Sequence, residues 1–102
     1  MADRRLELHT VLCDALGSTN VYFQPPESVK MSYPAIVYNL NDVITRFADN
    51  ESYTSNRRYT VILIDPDPDS EVIEKLASLP LCQYSRHYTA DNLNHEVFEI
   101  YY

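Results

Sequence analysis

Residues 57–79 constrain the fold of this chain most, because they predict a buried strand that leads directly into a helix. Five of the six residues 59–64 are apolar, and successive residues of a strand point to opposite faces. Apolar residues on both faces indicate an interior strand with something packed against each side. The sequence Asp-Pro-Asp-Pro at residues 65–68 ends the strand, because proline gives no hydrogen bond to the ladder and restricts the residue before it.

The helix after this turn is predicted to begin at Pro68, since proline suits the first helical position and Asp67 can cap the helix. Its apolar residues recur at helical spacing, and Pro80 ends it. This apolar flank consists of Val72, Ile73, Leu76, Ala77 and Leu79.

The rest of the chain predicts a second helix and four more strands. Residues 4–16 have amphipathic helical spacing, and Gly17 suits the left-handed position that ends a helix. Short extended pieces begin at Val21 and at Ala35, and two final strands are joined by the turn at residues 90–92. In residues 39–55 apolar and polar residues alternate less regularly on both sides of a polar turn. This pattern indicates a long hairpin whose tip reaches beyond the packed domain.

These elements predict an α+β fold in the order α-β-β-β-α-β-β. We expect one domain over residues 1–102, with a mostly antiparallel sheet, two helices packed on one face and a long projecting hairpin. The opposite face of the sheet is then either exposed to solvent or covered by a partner.

The charge of the chain argues against binding to nucleic acids and to anionic membranes. Fifteen acidic residues outnumber eight basic ones, for a net charge of −7, and such a surface repels phosphates. The basic pair Arg57–Arg58 is too small for a binding stripe, and we expect it to pair with Asp49 or Glu51 on the opposing arm, or with a neighbouring subunit. No apolar stretch long enough to cross a membrane and no signal-peptide pattern is present, which predicts synthesis in the cytoplasm.

The acidic turn resembles the start of a calcium-binding loop, but the match fails. Asp65, Asp67 and Asp69 alternate as the first ligands do, whereas Ser70 replaces the required glycine and Leu76 replaces the bidentate glutamate. The acids are therefore interpreted as the capped, negatively charged start of a helix.

No catalytic residue, metal site or cofactor is predicted. His9 and Cys13 lie one helical turn apart, as two metal ligands would, but no Cys-x-x-Cys or His-Glu-x-x-His pattern accompanies them. Cys13 and Cys82 are interpreted as buried free thiols, since nothing marks either one as exposed and electropositive. We expect the protein not to be an enzyme.

Five segments, which together span nearly the whole chain in order, resemble small structural proteins of long-tailed bacteriophages. The similar proteins are tail terminators or tail-completion proteins, which close the tail tube and join it to the head. The motifs DPDPDS and YTADNLNH are the most specific parts of the resemblance. The segments are VYFQPP after the first helix, YPAIVY, FADNESY, RRYTVILIDPDPDSEVIEKLASLP and RHYTADNLNHEVFEIYY.

The resemblance implies a homo-oligomeric ring, a hexamer, at the head–tail junction of the virion. Its partners would be the tail tube protein and the head–tail connector or adaptor protein, and genomic DNA would pass through the lumen without specific binding. An acidic lumen would repel the DNA. For the subunit interface we predict Arg46, Phe47, Tyr53, Arg57, Tyr101 and Tyr102, and for the lumen we predict Asp42, Asp49 and Glu51.

Two other functions are compatible with the sequence. An acidic inhibitor or DNA mimic would present regularly spaced carboxylates to a basic partner and would be a monomer or dimer. A small enzyme would need a concave pocket with convergent polar groups. The sequence contains neither a glycine-rich loop nor an activated nucleophile that would favour an enzyme.

Overall fold

The computed structural model describes residues 2–26, 30–48 and 51–102, with side-chain surroundings for residues 5–26, 30–41 and 57–102. Helix α1 spans Ala2–Leu16 and helix α2 spans Val72–Ala77. The strands are β1 (Val21–Phe23), β2 (Ala35–Ala48), β3 (Glu51–Asp65), β4 (Cys82–Ala90) and β5 (Leu93–Tyr101). Along the chain the elements follow one another as α1-β1-β2-β3-α2-β4-β5.

The five strands form one sheet in the order β1-β2-β3-β5-β4. β1 and β2 are parallel, and the three other neighbouring pairs are antiparallel. The prediction of an α+β fold with a mostly antiparallel sheet and two helices is therefore confirmed. β3 has a neighbouring strand on each side, as its apolar sequence predicted for an interior strand.

Both helices pack on the same face of the sheet. Alternate residues of β3, namely Tyr59, Val61 and Leu63, are at most 1% exposed and point towards the helices. They belong to a single core cluster with residues from α1 and α2 and from three of the other strands. The further members are Leu8, Leu12, Ala15, Leu16, Val21, Ile36, Tyr38, Leu76, Phe98 and Ile100.

A smaller apolar group lies on the other face of the sheet. Ile62 of β3 is directly opposite Val37 of β2 and Val97 of β5. Val97 and the nearby Ile64 are almost fully buried, although neither belongs to the core cluster. The sheet therefore carries apolar side chains on both faces at its centre.

Helix α2 begins later than predicted, at Val72 instead of Pro68. The carboxylates of the acidic turn accept backbone hydrogen bonds: Asp67 N–H donates to Asp65 Oδ1 at 2.8 Å, and Asp69 N–H donates to Asp67 Oδ1 at 2.9 Å. Such turns offer the backbone an alternative to the helix, so the N-cap is Glu71 and not Asp67.

Two tight connections form where the sequence predicted them. Gly17 has φ +78° and follows α1, and its N–H donates to the carbonyl of Cys13 at 2.8 Å. Asp91 and Asn92 both have positive φ, +53° and +63°, which suits the two-residue turn between β4 and β5.

The ladder between β2 and β3 continues past the end of β5. The last β5 residue that is paired with β3 is Tyr101, opposite Arg58, whereas β2 and β3 stay paired as far as Ala48 and Glu51. We call residues 42–48 and 51–57 the outer hairpin. From Asp42 to Ala48 it extends about 20 Å, at roughly 3.3 Å per residue. The molecule measures 51 × 26 × 22 Å and is therefore elongated.

Candidate functional site

The base of the outer hairpin brings three of the predicted interface residues together. Tyr102 N–H donates to the carbonyl of Arg57 at 2.8 Å, and Tyr101 N–H donates to the carbonyl of Leu81 at 3.1 Å. Tyr102 is half-buried and packs against the core, and Tyr101 is also half-buried. The C-terminus of the described chain thus fixes the point from which the hairpin leaves the sheet.

The other three predicted interface residues lie on the outer hairpin. Arg46 is opposite Thr54 and Phe47 is opposite Ser52, so Tyr53 is the additional residue at a bulge in β3. Bulges bend a strand and redirect its side chains, and they are frequent near functional surfaces. The side chains of Arg46, Phe47 and Tyr53 are outside the described residues, so their contact with a neighbour stays a prediction.

The predicted lumen residues are spread along the same hairpin. Asp42 is opposite Arg58, and Glu51 is opposite Ala48, while Asp49 is outside the described residues. Glu51 and Arg58 are on the same strand, seven residues or about 23 Å apart. The expected pairing of Arg57–Arg58 with Glu51 is therefore wrong within one chain, because Glu51 is on the same strand and the register places Asp42 opposite Arg58. Pairing with Asp49 or with a neighbouring subunit stays a prediction.

Strand β4 forms one lateral edge of the sheet, and the sequence did not identify it as a surface of interest. It contains nine residues, and all except Cys82 are exposed. Tyr84 and Tyr88 are 45% and 37% exposed, and the guanidinium of Arg86 lies 5.5 Å from the centre of the Tyr88 ring. The strand also carries a bulge at Ser85. The strand propensity and the alternating pattern of its residues predicted β4, but its position at the edge of the sheet depends on pairing with distant strands.

A buried carboxylate links β4 to β5. Glu96 is 5% exposed, its Oε1 accepts a hydrogen bond from the Tyr84 hydroxyl at 2.9 Å, and its Oε2 lies 2.6 Å from Nδ1 of His87. Partial burial raises the pKa of Tyr84, and so does the neighbouring Glu96 carboxylate, so the phenol stays a donor at neutral pH. Both oxygens of a buried acid are thus satisfied by the edge strand.

Removing these two partners should destabilise the fold. For the double variant Tyr84→Phe, His87→Ala we expect a loss of about 1–3 kcal/mol, because a buried carboxylate is left without its donors. Urea denaturation followed by circular dichroism measures the change. Tyr88→Phe is the matched control, since this exposed tyrosine of the same strand stacks on His95, and it should shift the stability by less than about 0.5 kcal/mol. Equal stabilities of wild type and double variant would contradict this role of Glu96.

A second polar cluster joins α1 to the sheet. Tyr38 is fully buried, its hydroxyl lies 2.8 Å from Nδ1 of His9, and Arg5 donates to the same hydroxyl at 3.5 Å. The guanidinium of Arg5 also lies 4.6 Å from the centre of the Phe23 ring. Burial, and to a smaller extent the charge of Arg5, lowers the pKa of His9 below its usual value of 6.5.

The lowered pKa of His9 predicts a stability that falls in acid. Below pH 6.5 the unfolded chain binds a proton at His9 more readily than the folded chain does, so unfolding becomes more favourable as the pH drops. His9→Gln should flatten the dependence of the unfolding midpoint on pH between 7 and 5. His95→Gln serves as the control and should leave most of the pH dependence of the midpoint unchanged. A wild-type midpoint that is constant across this range would contradict the prediction.

The two cysteines are free thiols, but they are half-buried and not buried as the sequence predicted. Burial raises the pKa of Cys13, as does the charge of Asp14, and burial also raises the pKa of Cys82. Each thiol is therefore protonated at neutral pH, and this state makes it a poor nucleophile and a poor metal ligand.

A groove of about 700 Å³ lies between the two helices. The hydroxyl in this groove, Ser78 Oγ, donates to the backbone carbonyl of Glu74 at 2.7 Å. It therefore bonds its own helical turn and not a general base that could activate it as a nucleophile. Neither histidine nor cysteine lines the groove. The lining residues are Val11, Asp14, Ala15, Glu71, Glu74, Lys75, Ser78 and Leu79. Five of these eight side chains are charged or polar, and three are apolar.

The described residues form neither a metal cluster nor a membrane-crossing helix. Nowhere in this part of the chain do three histidine, cysteine or carboxylate side chains gather as a metal site would require. Neither α1 nor α2 has the length and apolar character of a membrane-crossing helix.

No protein-family model matches the chain, and no curated protein matches it.

Proposed function

We propose that this protein is a structural component of the head–tail junction in a long-tailed bacteriophage. In this role, copies of the chain form a hexameric ring that terminates the tail tube and joins it to the head connector, and DNA passes through the lumen. The resemblance of the five sequence segments to tail-terminator and tail-completion proteins supports the proposal. The protein would act by assembly and not by catalysis.

The observation that carries the proposal is the outer hairpin. Two strands that leave the sheet without a third one form a structure that is marginally stable in water on its own. A long projecting hairpin is therefore expected to gain its stability from a neighbour. Phe47 and Tyr53 would supply apolar area for such a contact, in accordance with their prediction as interface residues.

The surfaces available to a neighbour differ from one another, and this difference favours a ring. The outer hairpin leaves the sheet along the strand direction, whereas β4 is exposed at a lateral edge. A contact between two unlike surfaces is heterologous, and repeating it yields a closed ring or a helical filament instead of an isologous dimer.

The net charge of −7 is compatible with a DNA-conducting lumen. Carboxylates that face the lumen would repel the phosphates, whereas every cationic contact would hold the DNA. Asp42, Asp49 and Glu51 are proposed for this surface because the acids of residues 65–71 form the turn before α2.

Light scattering over a range of concentrations, with and without isolated tail tubes, tests the proposal. We expect an assembly with a mass near six times the 11.9 kDa of one chain. A chain that stays monomeric under all these conditions and binds a basic protein tightly would contradict the proposal and favour the acidic inhibitor. A phage that lacks the gene should produce tails of uncontrolled length, or heads and tails that stay unjoined.

A further inference from the structure

We infer that the outer hairpin of one copy pairs with the free edge of β4 in the next copy, as strands added to its sheet. The inference rests on the proposed function, and it specifies which surface receives the hairpin. It is carried by the topology of the sheet, the lengths of the two surfaces and their charges.

The edge of β4 is a long surface for strand addition. β4 is the last strand of the sheet order, so its outer backbone groups have no partner strand in the part of the chain that the structure describes. Nine residues contribute to this edge, and their side chains are almost all exposed. Edges of this length are usually covered or blocked in soluble proteins, because unpaired backbone groups attract other strands.

The hairpin of the same chain does not fit this edge. In the sheet, β5 lies between β3 and β4, and the outer hairpin continues β2 and β3 in the strand direction. A hairpin from a second copy has no such constraint. Its strand over residues 42–48 is of similar length to β4, so most of the edge can be paired in an ordinary ladder.

The charges of β4 disfavour its pairing with a second copy of itself. β4 has the sequence CQYSRHYTA, which contains Arg86 and His87 but no carboxylate. The strand over residues 42–48 contains one carboxylate, Asp42, and one basic residue, Arg46, so it carries no excess of positive charge. Opposite charges stabilise cross-strand neighbours, whereas antiparallel pairing of β4 with its own copy, centred on Arg86, would bring like charges together. Charge therefore favours the hairpin over a second β4 as the occupant.

Hydrogen exchange tests the inference directly. In the assembled protein we expect the amides of residues 83–90 to exchange at least about tenfold more slowly than in the dilute monomer, because an added strand protects an edge. A shortened chain, in which Asn-Gly replaces residues 44–56, should lose this protection at the same concentration. The turn variant Asp91→Asn, Asn92→Gly, which keeps the whole outer hairpin, is the control and should retain it.

A charge reversal provides a second test that does not depend on the folding of the shortened chain. Arg86→Glu should weaken self-association about fivefold per contact, since like charges then meet across the strands. Adding Asp42→Arg, at the one carboxylate of the strand proposed to pair with β4, should restore most of the affinity. Lys75→Glu changes the net charge equally at an exposed position of α2 and should have less than about a twofold effect.

The outcomes separate this inference from the proposed function. If the protein assembles while residues 83–90 exchange as fast as in the monomer and Arg86→Glu assembles like wild type, the inference is wrong and the ring proposal survives. If Arg86→Glu abolishes binding to tail tubes but not ring formation, the edge receives the tube protein and the inference is wrong as well. If wild type never assembles, both fail.

Discussion

Shortening the outer hairpin is expected to abolish ring assembly while leaving a folded monomer. Joining Val43 to Arg57 through Asn-Gly preserves the ladder, because these two residues are opposite each other and Asn-Gly is the preferred two-residue turn. Every core-cluster member among the residues whose side chains are described, 5–26, 30–41 and 57–102, lies outside the replaced segment. We therefore expect the thermal midpoint to change by only a few degrees, while light scattering shows a single chain at all concentrations.

The control for this experiment is the hairpin between β4 and β5, whose turn is also on the surface. Asp91→Asn, Asn92→Gly keeps the positive-φ conformation of that turn and should assemble normally. A shortened chain that still forms the wild-type assembly would show that the outer hairpin does not join the subunits, and it would remove the observation that carries the proposed function.

Phe98→Ala is expected to have the largest effect on stability, a loss of about 3–5 kcal/mol. Phe98 is fully buried on β5, it is directly opposite Val61 of β3, and its ring meets that of Tyr84 edge-on at 5.3 Å. Truncation leaves a cavity where the strands meet the helices. Because small domains are stable by only about 5–15 kcal/mol, the variant should be partly or wholly unfolded at 37 °C.

Urea denaturation of Phe98→Ala beside Leu81→Ala measures this difference. Leu81 is 72% exposed, so its truncation should change the free energy of unfolding by less than about 0.5 kcal/mol. Similar losses for the two variants would contradict the assignment of Phe98 to the core.

Local chemistry predicted the elements that depend on neighbours in sequence. The apolar run at residues 59–64 predicted an interior strand, and the sheet order confirms it. Gly17 and the Asp91–Asn92 turn adopt the backbone angles that such residues favour. The start of α2 was placed too early because two signals compete there. Proline favours the first turn of a helix, but the Asp65 and Asp67 carboxylates bind the backbone first.

Features that depend on pairing between distant segments could not be predicted from sequence patterns. Glu96 is surrounded in sequence by residues typical of a strand, and its burial follows only from the donors that β4 supplies. The position of β4 at the edge likewise depends on the insertion of β5 between β3 and β4. A period-2 pattern fixes which residues share a face, but it does not fix which strands are neighbours. The register also places Arg58 and Glu51 far apart on one strand, whereas the sequence predicted that they could pair across the hairpin.

The acidic inhibitor and the ring require the carboxylates at different places on the surface. An inhibitor needs exposed acids in a regular array. In the acidic turn, Asp65 is 6% exposed and its Oδ1 accepts a hydrogen bond from the backbone, whereas Asp67, Asp69 and Glu71 are exposed. In the ring, acids are required only where DNA passes. The Asp65 and Asp67 carboxylates thus have a structural role in the turn, whichever partner the protein binds.

Electron microscopy of the assembled virion tests the central claim most directly. The account predicts six copies of this chain around the tail axis at the head–tail junction, each with its outer hairpin against the next copy, and a bore lined by carboxylates. A single copy located away from the junction, or a bore lined mainly by lysine and arginine, would contradict it.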